Sequence, residues 1–467
     1  MKMWSGRFRQ PLDAGFELWQ RSFEFDRRLL KYDLAASGAH ARALKDAGIL
    51  SSAELIAILQ GLEKIAELSV TSPTFLEDAE AEDVHHFVEK QLTALIGETG
   101  YKLHSGRSRN EQIAADLRLY VRASIDQLHS ELASWLQTLL DRAERAGDAA
   151  MPAYTHLQRA EPVLVSHWLL AYVEMFLRDV ERLADCRRRL NVCPLGSGAV
   201  AGATLQLDRR AMARDLGFDE PSANSIDATS DRDFILEFVN ALSLLALHCS
   251  RWAEEMILFS SQEFGFVLLP EAYSTGSSAM PQKRNPDLLE LVRAKAARVI
   301  GDATTLLTAM KGLPLAYNKD LQETQQPLFD AADTILAIIP LVTGWMRAVD
   351  FHYERMEEAA RTGFMNAWAA ATYLVGHGVP SRLAHQCIGK AVQICLEKHC
   401  ELQDLPLTEL RTLNPAFGQD FYDCLTLESV LSIHDVCGGT APLRVRQAIA
   451  EAKQKIESIL EGVHAHA

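Results

Sequence analysis

At 467 residues the chain is longer than one hydrophobic core ordinarily grows, so several domains or one multi-layered body are expected. Its 62 Asp and Glu against 47 Lys and Arg leave a net charge of −15, which repels nucleic-acid phosphates and anionic lipid; no nucleic-acid or membrane partner is expected, and an anionic ligand needs a local basic pocket. The eight cysteines form no Cys-x-x-Cys pair and read as reduced, mostly packing thiols of a cytoplasmic protein.

The chain opens MKMWSGRFRQ, which has no apolar run of the signal-segment kind. Residues 1 to 110 mix short helical pieces with loops. Then Ile113, Leu117, Val121, Ile125, Leu128, Leu132, Trp135 and Leu139 recur at helical spacing, with no Gly or Pro between Gly106 and Gly147. That pattern predicts one helix of about 35 residues. Similar patterns predict helices over 163–191, 231–261, 286–311 and 328–349. In the fourth of the five, Leu288, Val292, Ala296, Val299, Ala303, Leu306 and Met310 keep a near-heptad stripe, ended by Gly312 and Pro314. The longest unbroken apolar stretch, ILAIIPLV at 335–342, is far short of a membrane span. After residue 360 shorter helices return, broken by Gly363, Gly376, Gly378, Pro380 and Pro415.

Strand-like alternation is nearly absent, so the fold expected is mainly α. Helices of this length predict an elongated long-helix bundle over 111–360, flanked by smaller helical domains at 1–110 and 361–467. Segments such as FILEFVNALSLLAL at 234–247 are apolar on more than one stripe, which predicts a second buried face that a homo-oligomer would cover.

Polar or Gly- and Pro-rich segments sit at the ends of these helices: HSGRSRNEQ (104–112), PAYTHLQRAEP (152–162), PLGSGAVAGA (194–203), STGSSAMPQKRNPD (274–287) and KGLPLAYNKDLQE (311–323). Each reads as a turn or a cap, but loops on a rigid scaffold also commonly carry function. Taken alone, Arg107 and Arg109 are solvated surface charge; grouped with Ser108, Asn110 and Gln112 ahead of a helix, they make an anion-binding turn. A lone histidine is more often structural, yet His156, with Thr155 and Gln158 between two prolines, is a candidate acid or base. Gly196, Gly198 and Gly202 follow no strand, so a dinucleotide fingerprint fits poorly and close packing accounts for them as well. Asp231, Arg232 and Asp233 read as a helix cap. No zinc-peptidase, phosphate-loop or nucleophile-elbow motif occurs, and His85 and His86 do not share a helix face, so no metal site is expected.

The segment 274–287 asks for more than a turn. Asn285, Pro286 and Asp287 spell a helix start, with Asn as N-cap, Pro at the first helical position and an acid near the positive dipole end. Ahead of them, Gly276, Ser277, Ser278, Lys283 and Arg284 bring free amides, hydroxyls and cations into one segment, the groups that stabilise a developing oxyanion. A plain turn leaves the serines and cations unused.

These segments carry a resemblance. GSSAMPQKRNP resembles the signature loop of the fumarase/aspartase superfamily, whose members eliminate fumarate from succinyl compounds on a helical tetramer. MWSGRF, AEDVHHFVE, HSGRSRNEQ, PAYTHLQRAEPV, PLGSGAVAG, TSDRDF and KGLPLAYNKDLQE, in that order over residues 3–323, are similar to motifs of its argininosuccinate lyase family. The resemblance implies a cytoplasmic lyase without metal or cofactor that splits argininosuccinate into arginine and fumarate by reversible anti β-elimination, in arginine biosynthesis. It implies a homotetramer in which three subunits complete each site.

Residue by residue, it implies Ser277 as the base, its alkoxide supported by loop amides and Lys283, with Lys283 and Asn285 holding the substrate carboxylate. His156 stands at the position of a general acid or proton shuttle, with Glu290 as the partner that raises its pKa. Ser37, Ser108, Arg109, Asn110, Thr155, Arg232, Tyr317 and Gln322 match substrate-binding positions, followed by Asp33 and Asp83. The chain departs from the family pattern at Ser105 (usually Thr), Glu111 (Asp), Ala36 (Gly) and Gln325, where a lysine is common. Two other readings stay open: a sister lyase acting on another succinyl compound, and a structural homologue that is weakly active or inactive.

Overall fold

The computed structural model describes residues 10–78 and 80–466; the MWSGRF motif at 3–8 lies outside them. The fold is mainly α. Its five long helices are Arg109–Ala146, Val165–Leu190, Asp233–Ser260, Asp287–Met310 and Gln325–Ala348, each starting or ending within a few residues of the expected bounds. In the first, Leu117, Val121, Ile125, Leu128, Leu132, Trp135 and Leu139 are fully buried, so the 3.6-residue stripe read from the sequence is the face that packs. Asp233–Ser260 and Lys319–Ala348 are apolar enough by length and composition to cross a membrane, with mean hydropathy 1.3 and 1.4, but 50% and 61% of those stretches are buried inside the chain. Core packing accounts for part of that apolarity, while Leu244, Leu247 and Leu341 on the same helices stay 41%, 41% and 46% exposed.

The chain divides into two compact units, and every long helix contributes a piece to each. The first unit takes Met1–Gln127, Arg182–Ser243 and Arg298–Thr334; the second takes Leu128–Glu181, Leu244–Ala297 and Ile335–Ala467.

In the first unit the helix Leu30–Asp46 presents Ala36, Ala39 and Ala43 to Ala115 and Leu119 of the first long helix, with Leu195, Met212 and Phe218 closing the cluster. Small side chains at that seam let the two backbones approach. Arg28 grips both carboxylate oxygens of Asp333 at 3.1 and 3.0 Å. Tyr120 packs edge-on against Tyr32 and Phe329, a geometry that favours aromatic quadrupoles.

In the second unit three fully buried indoles stack edge to face. Trp135 and Trp252 lie 5.2 Å apart, as do Trp252 and Trp345, and Phe176 meets Trp135 at 5.5 Å. A second cluster joins Leu374, Ile388, Leu402, Phe417 and Phe421. All eight cysteines are free thiols, five of them buried, in keeping with their reading as packing residues.

Strands correct the expectation in one place. Residues expected as a loop form an antiparallel hairpin, Ala150–Thr155 with Gln158–Leu164. Pro152 and Pro162 hid it, because prolines ordinarily count against strand. Here they face each other across a two-stranded ribbon, where each strand has an open edge that needs no ladder donor. Three further two-stranded pairs are only two residues long.

Candidate active site

Residues singled out from the sequence fall in both units. The second unit holds Ser277, His156, Lys283, Glu290, Asn285 and Thr155; the first holds Ser37, Ser108, Arg109, Asn110, Arg232, Tyr317 and Gln322.

In the second unit, Thr275–Gly276 pairs antiparallel with Arg284–Asn285 and closes a loop over residues 277–283. Ser277 opens that loop and gains a specific environment within it. Its Oγ accepts the backbone N–H of Met280 at 3.1 Å and of Ala279 at 3.3 Å. Two amide dipoles therefore already point at the oxygen on which an alkoxide would form. Lys283, exposed, is tied in through its backbone N–H to the Met280 carbonyl at 3.0 Å. Arg284 anchors the strand through the Leu269 carbonyl and Glu271, both at 2.8 Å.

The helix after this loop starts later than expected. Asn285 does not cap it: its Nδ2 reaches back to Thr275 Oγ1 at 3.2 Å and the Gly276 carbonyl at 3.5 Å. The first helical bond runs from the Glu290 N–H to the Pro286 carbonyl. Asp287 serves as a latch, its Oδ2 accepting Thr275 N at 3.0 Å and Thr275 Oγ1 at 2.6 Å. These bonds hold the Asp287 carboxyl below the usual carboxylate range. A pairing of Thr275 with Asp287 was readable only as two polar residues; the closed loop gives it meaning.

His156 and Leu157 form the two-residue turn of the 150–164 hairpin, with φ of 54° and 56°. Two positive φ values are what a type I′ hairpin turn requires, usually of Asn or Gly. A histidine and a leucine held there cost roughly 1 kcal/mol or more each. The strain is carried by the hairpin, which Arg159 fastens to the Ala359 carbonyl at 3.1 Å and Thr362 Oγ1 at 3.0 Å. His156 and Thr155 are exposed, and so is Glu290. Among the described residues no hydrogen bond or ion pair joins His156 to Glu290 or to Ser277.

In the first unit the arginine turn leads into the first long helix. The Ser108 N–H donates to Glu111 Oε1 at 3.1 Å, and Ser108 Oγ accepts the Asn110 N–H at 3.2 Å. Glu111 Oε2 accepts the Gly198 N–H at 2.9 Å, and Asn110 Nδ2 donates to the Ala199 carbonyl at 3.2 Å. The turn and the PLGSGAVAGA segment are thus stitched together. Gly198, with φ 61°, leaves no room for a Cβ against the Gly202 carbonyl, so its glycine answers a tight turn. Arg109 ion-pairs with Asp83 at 2.9 Å, and Arg107 donates to the fully buried Ser37 Oγ at 3.0 Å.

Arg232 is 1% exposed and donates to the Asp231 carbonyl at 2.7 Å; burial brings its pKa down to about 10. Asp231 itself accepts the Asp233 N–H at 2.7 Å and pairs with Arg118, so the capping reading holds for Asp231 while Arg232 is a buried cation. Burial pushes the Tyr317 phenol up, and Arg232 works against that rise. Gln322 Nε2 donates to the Gln20 carbonyl at 3.2 Å, and Gln325 is buried. One buried group went unread in the sequence as a unit: Asp33, His85 and Asp116, the residues among those described whose spacing would suit a metal ion. They come from three different helices, far apart in the chain, and only the fold brings them together.

Comparison with known proteins adds to this geometry. A family model described as lyase matches residues 6–301, and one described as argininosuccinate lyase C-terminal matches 364–432. The argininosuccinate lyase of Koribacter versatilis is 58% identical over 467 residues, 100% of both chains. That of Acidobacterium capsulatum is 58% identical over 460 residues, 97% of this chain and 94% of the other. An EDDS lyase solved with formate superposes with TM-score 0.86 at 25% identity, over 98% of this chain and 92% of that one. A class II fumarase from Schistosoma mansoni, at 16% identity, TM-score 0.73 and coverage of 85% and 90%, is a likeness of fold alone.

Proposed function

The chain belongs to the argininosuccinate lyase family and is a carbon–nitrogen lyase acting on argininosuccinate; from that premise we propose how its own residues divide the work. The reaction is a reversible anti β-elimination that yields arginine and fumarate. A proton leaves the carbon beside a carboxylate, which puts a second negative charge on that carboxylate. Such a carbanion is reachable only where fixed positive charges and dipoles await it.

Ser277 takes that proton. A serine hydroxyl is a weak acid and needs help to act as a base. The observation that carries this assignment is the pair of amides from Ala279 and Met280 at 3.3 and 3.1 Å from its Oγ. Lys283, in the same loop, and Asn285, at its foot, hold the carboxylate as its charge grows. His156 is the general acid or proton shuttle, with Glu290 as its partner. Ser37, Ser108, Arg109, Asn110, Thr155, Arg232, Tyr317 and Gln322 bind the rest of the substrate, and no cofactor or metal enters.

Chains assemble as a homotetramer, and segments of three subunits complete each site. Support comes from apolar side chains left in the open on the long helices, such as Leu291 and Leu307, 56% and 51% exposed. Residues 1–110, 111–360 and 361–467 serve as N-terminal domain, assembly core and C-terminal domain. The free thiols and the charge of −15 support a cytoplasmic enzyme of arginine biosynthesis.

The test is direct. Purified protein mixed with argininosuccinate should release fumarate, followed by its absorbance, while adenylosuccinate in parallel should release none. No fumarate from argininosuccinate would sink the reading.

A further inference from the structure

Beneath the arginine turn, the helices Leu30–Asp46, Val84–Ile96 and Arg109–Ala146 each send one ionisable side chain into a closed cluster. Asp33, His85 and Asp116 bring their nitrogen and oxygen atoms within 4.8 Å of one another, with side chains 0%, 6% and 0% exposed. His85 Nδ1 lies 2.9 Å from Asp33 Oδ1 and 3.7 Å from Asp116 Oδ2. Gln112 also donates to Asp33 Oδ1. Asp33 Oδ2 and both oxygens of Asp116 are left without a donor among the described residues.

Three buried acceptors with no donor are costly, and two neighbouring carboxylates in a dry interior do not both stay ionised. Either a proton or a cation must enter. A cation would have to break into the His85–Asp33 hydrogen bond, and Arg107 already supplies charge nearby, interacting with Asp33, Glu111 and Asp116. A proton needs no new atom. Placed on Asp116, it lets that side chain donate to Asp33, leaving Asp33 ionised between His85 and Gln112.

We infer that Asp33 and Asp116 share a single proton, held on Asp116, and that the Asp116–Asp33–His85 chain so formed is the support that fixes Arg107 against Ser37. Asp116 is then a positioning residue: it reaches substrate through Asp33, Arg107 and Ser37, and this last link rests on the placement of Ser37 in the substrate site. The electrostatics run the same way. Burial, then the charge of Asp33, pushes Asp116 well above the carboxylate range. Burial alone would raise Asp33 as well, but His85 and Arg107 hold it below the ordinary value. Asp26, Asp83 and Arg109 also act on members of the cluster.

Infrared spectra of the full chain at neutral pH, compared between wild type and Asp116→Asn, test the shared proton. Asn keeps the shape and the donor, so the variant should unfold within a few degrees of wild type while losing the C=O band of a buried carboxylic acid. No band lost in the difference spectrum would overturn the inference, as would one equivalent of divalent metal per chain in elemental analysis of the purified protein. For the link to Arg107, Asp33→Asn should raise KM about tenfold while kcat stays within about threefold. An unchanged KM in that folded variant would break the link. The infrared and metal readouts need no turnover, so their failure is distinct from a failure of the lyase reading.

Discussion

Ser277 and His156 come to their proposed roles by different routes, and only one of them is written in composition. Around Ser277, glycine, hydroxyls, cations and an Asn-Pro pair crowd into one segment, a mixture no helix asks for. The amides that converge on its Oγ follow from the turn this composition permits. Replacing Ser277 with Ala removes the proposed base and leaves those amides free to meet water. The variant should fold and assemble as wild type while turnover falls about a thousandfold or more. Wild-type rates would remove Ser277 as the base. The strained turn at His156 and Leu157 was not legible, because a positive φ at such residues is imposed by the hairpin and not by their own preference. His40 shows the cost of burying an ionisable ring under the site. It is 1% exposed, bonded through Nε2 to the Ser105 carbonyl at 3.0 Å, and burial followed by Arg107 lowers its pKa from 6.5 to about 3. A base whose folded pKa is depressed binds its proton in the unfolded chain first. Stability is therefore full above pH 6.5 and falls as pH drops toward 3, by up to about 1.4 kcal/mol per pH unit from this one group. His104, lowered to about 4, adds in the same direction. Denaturant unfolding across that window should be less steep in pH for His40→Gln than for wild type; identical slopes would contradict it.

At the scale of elements, the five long helices were legible because burial on one side writes a 3.6-residue stripe into the sequence, and their tertiary partners do not alter that stripe. The hairpin at 150–164 was not, since paired prolines erased the strand signal. Helix starts were legible to within a few residues, and Asp231 caps as expected, but Asn285, expected as an N-cap, and Asp287 turn back to hold the loop that precedes their helix. A helix also supports that loop from behind. Gly344 in Gln325–Ala348 lies against Tyr273, at the foot of the loop, so that an added Cβ would collide with the phenol oxygen. Gly344→Ala, favourable for a helix by about 1 kcal/mol on propensity alone, should displace Tyr273 and lower turnover about tenfold or more with helical content by circular dichroism unchanged. Full activity in this variant would show that the foot of the loop tolerates displacement.

At the scale of the whole molecule, the sequence indicated a second apolar face on the long helices, and the chain leaves Leu244, Leu247, Leu291, Ile300, Leu307 and Leu341 between 41% and 56% exposed. Scattered leucines on a surface are ordinary, but two of these, Leu244 and Leu247, fall in the stretch 234–247 read as apolar on more than one stripe. Which copies meet, and through which of these residues, was beyond the sequence: one chain's pattern says that a face is apolar, not what covers it. In the proposed account, assembly serves to join residues that one chain keeps in different units. Ser277, Lys283 and His156 lie in one compact unit, while Ser108, Asn110 and Arg232 lie in the other, and the proposal completes each site across chains. The most direct test mixes two inactive variants, Ser277→Ala and Asn110→Ala, after reversible dissociation, and follows fumarate release from argininosuccinate. If Ser277 and Asn110 enter a site from different subunits, random hybrids should recover about a quarter of wild-type activity. Mixtures that reassemble as hybrids yet stay as inactive as their parents would contradict the account.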